Sequence, residues 1–117
     1  MPSHGLTEAQ LGTICQILAP YAETITRVDL FGSRARGTYQ AHSDVDLVLH
    51  GVEDEALIDR LWTLFAESNL PLKVDVKSYE QTQYPPLKRH MDSVCQTLWK
   101  QQDLRRVAKQ LVDHSQG

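Results

Sequence analysis

A glycine–serine pair, Gly32-Ser33, is separated by ten residues from two alternating aspartates in Asp44-Val45-Asp46. Gly32 lets the chain bend sharply and leaves backbone N–H groups uncovered. Ser33 is suited to cap a short helix that Gly37 ends. The start of such a helix offers unpaired N–H donors and a partial positive charge, a seat for a phosphate, to which the Ser33 hydroxyl adds a further donor. Asp44 and Asp46 lie two apart, so on an extended chain both side chains leave the same face. Burying two such charges unpaired is expensive. A hard divalent cation removes that cost, and Mg2+ accepts carboxylate and triphosphate oxygens together. A third acid, Asp75, lies inside Val74-Asp75-Val76.

The elements that must position these groups are legible in the apolar periodicity. Thr7-Glu8-Ala9-Gln10 fits a capping box, and Leu11, Ile14, Cys15 and Leu18 follow at helical spacing until Pro20. Ile25 to Phe31 reads as a strand ending at Gly32, and Asp46 to His50 as a second strand closed by Gly51. Glu53 to Ser68 predicts a helix with Leu57, Ile58, Leu61, Leu64 and Phe65 on one side. Lys73 to Tyr79 alternates like a third strand. Pro85-Pro86 opens an expected helix lined by Leu87, Met91, Val94, Cys95, Leu98 and Trp99, and Asp103 to His114 carries a weaker helical stripe. The fold class is therefore α/β (α+β in some schemes): a mixed sheet of about three strands covered by helices.

Connection lengths bring the acids together. The short link between the first two strands makes them antiparallel neighbours, so Ser33 lies near Asp44. The helical crossover makes the second and third strands parallel, so Asp75 enters from the same end. An acidic corner beside a phosphate seat is equipment for nucleotidyl transfer. Asp44 and Asp46 hold one or two metal ions, and Asp75 completes a second metal site and helps deprotonate the attacking hydroxyl. Arg34 and Arg36 either neutralise triphosphate charge or are simply solvated, because residues two apart on a helix point away from each other. Lys73 and Lys77 read as solvated edge charges, and His42 as a surface-loop histidine. The remaining histidines, His4, His50, His90 and His114, lack the spacing of a zinc site.

Composition narrows the class. The chain has 117 residues, 41% apolar and 23% charged, the balance of one globular domain. No stretch approaches the ~20 apolar residues of a membrane span. Met1-Pro2-Ser3-His4-Gly5 has no secretory character, and Cys15 and Cys95, both in helical apolar patterns, read as reduced thiols, so a cytoplasmic location is expected. A net charge of -3 argues against a chain that grips long nucleic acid alone. Trp62, Trp99 and Tyr84 read as core groups. The tail and the 87–99 segment carry enough apolar surface to suggest an interface.

Taken together, Gly32-Ser33, ten residues and Asp44-Val45-Asp46 resemble the signature of the polymerase-β-type nucleotidyltransferase superfamily. Leu30-Phe31-Gly32-Ser33-Arg34-Ala35-Arg36-Gly37 with Ser43-Asp44-Val45-Asp46-Leu47 is similar in particular to the minimal nucleotidyltransferase (MNT) family. The likeness covers residues 7 to 100, giving a minimal nucleotidyltransferase domain over 1–100 and a helical extension of it over 101–117. It implies ATP as substrate and Mg2+ as cofactor. Nucleotide binding falls to Gly32, Ser33 and Arg36, and metal binding and catalysis to Asp44, Asp46 and Asp75. It also implies a hetero-oligomer with a HEPN-domain ribonuclease toxin, silenced by transfer of AMP onto a tyrosine. Two other expectations compete: a small-molecule nucleotidyltransferase subunit, like aminoglycoside-modifying enzymes, and an antitoxin that acts by contact alone. Nothing in the chain provides a second domain to hold primer and template.

Overall fold

The structure, a computed structural model, describes residues 4–40, 42–82, 89 and 95–116. Helix α1 (Glu8–Leu18) starts at the expected capping box: Gln10 N–H donates to Thr7 Oγ1 and Thr7 N–H to Gln10 Oε1. A single 3-10 turn, Ala19–Tyr21, follows with Pro20 inside it. Then come β1 (Arg27–Phe31), the short α2 (Ser33–Arg36), β2 (Val45–His50) and α3 (Glu55–Ala66). The chain continues with β3 (Val74–Ser78), β4 (Cys95–Lys100) and α4 (Gln101–Gln116). Asp54 caps α3 by accepting from Ala56 N–H, and Asp103 accepts from Lys100 N–H where α4 begins.

The strands form one mixed sheet in the order β3-β2-β1-β4. β1 runs antiparallel to β2, and β2 parallel to β3, as the connection lengths require. One face of the sheet packs on the helices: Val28, Leu30, Leu47, Leu49 and Val76 join Ile14, Leu18, Leu61 and Leu104 in the main core. From α4, Leu104 is fully buried in this core and Val107 packs against it. Cys15 is buried in the same core, and burial, assisted by the Asp103 charge, pushes its thiol up to about 11. Trp62 is more open than its size suggests. It lies 37% exposed, with its indole N–H donating to the Val76 carbonyl of the edge strand β3.

The sheet has four strands rather than about three, because residues 95–100 extend instead of closing a helix. Cys95 pairs with Phe31 and Thr97 with Asp29, then the register slips so that Trp99 pairs with Val28. The slip makes Leu98 an extra residue, and both Leu98 and Trp99 pack on the main core. Two adjacent apolar residues on one side of a bulged strand imitate helical spacing, which is why the pattern misleads. The earlier part of the expected helix, with Leu87, Met91 and Val94, lies outside the described residues, as does Tyr84.

The opposite face of the sheet is not wholly apolar. Beside Phe31 and Val48 it buries Asp29, which is only 2% exposed. Thr97 Oγ donates to Asp29 Oδ1, the Arg27 guanidinium donates to both carboxylate oxygens, and His50 Nε2 lies 2.9 Å from Oδ2. One carboxylate thus ties β1 to β2 and β4. Burial alone pushes Asp29 up, but the bonds from His50, Thr97 and Arg27 outweigh it and hold the carboxyl at about 2, below its ordinary 3.8. A depressed native value gives stability that is complete above the unfolded value and lost as pH falls through the native one. Asp29→Asn should therefore cost about 2 kcal/mol at neutral pH and flatten the loss of stability between about pH 4 and pH 2. Denaturant unfolding of both proteins across that range measures it.

Candidate active site

Gly32 ends β1 with φ of 80°, a conformation that L side chains rarely adopt. The reversal launches α2 directly. Gly32, not Ser33, is the N-cap residue, its carbonyl accepting from Arg36 N–H, and Ser33 is the first helical residue. Gly37 closes α2 in the left-handed region at φ 79°. Ser33 is half-buried and Arg36 exposed, so both are open to a ligand above the turn.

Arg34 is neither solvated nor aimed outward. It is 1% exposed and acts as a strut. Its Nε and Nη2 donate to the Ser43 carbonyl, its Nη1 to the His4 carbonyl, and its guanidinium lies 5.1 Å from the Tyr39 ring centre. Ser43 immediately precedes Asp44. Arg34 therefore fixes where the loop from α2 delivers the first aspartate. Val45 N–H then donates to the Lys73 carbonyl, which locks the start of β2 against β3.

The register brings the predicted acids to one rim. Phe31 pairs with Asp46 across β1 and β2, and Asp46 pairs with Asp75 across β2 and β3. Asp44, exposed, sits one residue before β2. A Cβ added at Gly32 would lie 2.6 Å from Asp46 Oδ2, so the carboxylate occupies the space that any side chain there would need. Burial pushes the Asp46 carboxyl above its ordinary value. The Asp75 charge adds to this, Lys77 opposes it, Asp44 adds again, and Lys73 opposes. Lys77 is not a merely solvated edge charge, since its ammonium lies 2.9 Å from Asp75 Oδ2. Lys73 is exposed, with its ammonium 6.0 Å from the Trp62 ring centre.

The donor set fits a hard divalent cation: carboxylate oxygens gathered at one end of a sheet, one of them resisting its own charge. Among the described residues, no three His, Cys, Asp or Glu side chains converge as a ready-made cluster, so bound phosphate oxygens would have to complete the shell. The roomiest cavity described, about 730 Å³, lies elsewhere, at the opposite end of β2, lined by Arg27, His50, Glu80, Lys100 and Arg105. Sequence reasoning missed Asp29 and the pairing of Lys77. An acid between Val28 and Leu30, and a lysine two residues beyond an acid on one strand face, were the available signals.

Comparison with known proteins agrees with this geometry. A family model described as nucleotidyltransferase domain matches residues 11–111. No curated protein matches the sequence significantly. Among solved structures, a chain of a toxin–antitoxin with AMP-PNP superposes with a TM-score of 0.65 at 24% identity, over 91% of this chain and 86% of that one. A mutant of the MntA–HpeT toxin–antitoxin gives 0.63 at 25% identity, over 95% and 87%. The MntA–HepT toxin–antitoxin gives 0.60 at 20%, over 94% and 87%.

Gly32→Ala should cost roughly 1–3 kcal/mol through the positive φ and the collision with Asp46. Because part of that cost is steric, combining it with Asp46→Ala should be less damaging than the sum of the two single changes. Thermal denaturation of the four proteins in the cycle checks the coupling.

Proposed function

This chain belongs to the nucleotidyltransferase domain family, and from that premise we propose that it transfers AMP from ATP onto a partner protein. In this reading it is the antitoxin that silences a HEPN-domain ribonuclease toxin. The observation that carries the reading is the register pair Asp46–Asp75, packed beside the Gly32 turn that opens α2. The likeness to toxin–antitoxin structures, one of them with AMP-PNP, supports the partner and the nucleotide.

Asp44 and Asp46 would hold Mg2+, which when bound supplies charge neutralisation at the triphosphate and polarises the reacting phosphorus. The Ser33 hydroxyl and the amides at the head of α2 seat phosphate oxygens, and Arg36 offers its guanidinium from the end of the same helix. Asp75 accepts the proton of the attacking hydroxyl. The acceptor oxygen bonds to the α-phosphorus as the α–β phosphoanhydride bond breaks, and pyrophosphate leaves with the electron pair. Gly32 and Arg34 act earlier, by keeping the two aspartates and the turn in register.

Incubation with ATP, Mg2+ and the cognate toxin should increase the toxin's mass by one or more AMP units. Asp44→Asn combined with Asp46→Asn should reduce the labelling by about a hundredfold or more while leaving co-purification with the toxin intact. No transfer by the wild-type chain under these conditions overturns the proposal.

A further inference from the structure

Asp75 differs from the other two acids in having a cation of its own strand against it. Lys77 follows it by two residues on β3, so both side chains leave the same face, and the ammonium lies 2.9 Å from Asp75 Oδ2. Both partners are partly shielded, with side chains 36% and 26% exposed. Asp46 is the register partner of Asp75, so the same ammonium bears on the half-buried carboxylate next door, where it works against the repulsion from Asp75. A three-carboxylate cluster fails to close among the described residues. Asp75 has turned to Lys77 instead.

Resting on the function proposed above, we propose that Lys77 is the resident second cation of this site. Asp44 and Asp46 take one divalent ion together with the nucleotide, and the charge of Asp75 is met by the ammonium rather than by a second ion. A second dication bridging Asp46 and Asp75 would have to displace Lys77 or sit within a few ångströms of it, where the two positive charges repel. The arrangement also holds the Asp75 carboxylate in one orientation, through the 2.9 Å contact with the ammonium. Lys77 thus acts through Asp75, as a positioning residue.

Metal stoichiometry distinguishes this from a purely structural ion pair. The full chain would be titrated with Mn2+ in the presence of a non-hydrolysable ATP analogue and followed by electron paramagnetic resonance. Wild type and Lys77→Arg should hold one Mn2+ tightly. Lys77→Met should hold two, with the spin coupling of ions about 4 Å apart and a second-site dissociation constant lowered about tenfold or more. Two tightly held ions in the wild type, or only one in a folded Lys77→Met protein, overturn the inference and leave the proposed function standing. No Mn2+ held by the wild type overturns both. Thermal melting reports whether Lys77→Met folds; if it does not, the wild-type stoichiometry decides alone, one ion supporting the inference and two overturning it.

Discussion

The site depends on a close approach between a carboxylate and a backbone that has no side chain. A Cβ on residue 32 would come within 2.6 Å of Asp46 Oδ2, and that residue also turns through a left-handed conformation. Glycine satisfies both conditions at once. The same turn starts α2, whose buried Arg34 reaches back to the Ser43 carbonyl and so determines where Asp44 leaves the loop. Turn and strut therefore act on the same short stretch of chain, from Gly32 to Asp46.

Crowding like charges at such a rim has a cost, and the structure shows how it is distributed. Asp44 stays exposed. Asp75 is balanced within its own strand by Lys77. Asp46, between them, is half-buried, and burial first, with the Asp75 charge adding to it, pushes its carboxyl up. Asp29, which is fully buried, is the opposite case: surrounded by Arg27, His50 and Thr97, it is held well below the ordinary carboxylate value. Two aspartates on the same sheet face thus have opposite fates because hydrogen bonds outweigh burial at Asp29, whereas at Asp46 burial and the Asp75 charge act together.

Much of this was legible in the residues themselves. The glycine of Gly32-Ser33 and the connection lengths dictate a sharp bend after the first strand and the strand directions, and both appear. What escaped has physical reasons. The bulge at Leu98 puts adjacent apolar residues on one side of β4, so neither a period of two nor of 3.6 identifies it. Arg34 finds its partners in backbone carbonyls 9 and 30 positions away, and a carbonyl carries no residue-type signature. The tie of Lys77 to Asp75 rests on a rotamer choice, which alternation along a strand permits but does not impose.

The junction between β4 and α4 has no loop: the strand ends at Lys100 and the helix begins at Gln101. Gln101 is itself pinned, its N–H donating to the Thr26 carbonyl and its side-chain amide to the Ala22 carbonyl. Such a corner has no slack to absorb rotation. The direction of the last helix is therefore tied to that of β4, the strand that flanks β1.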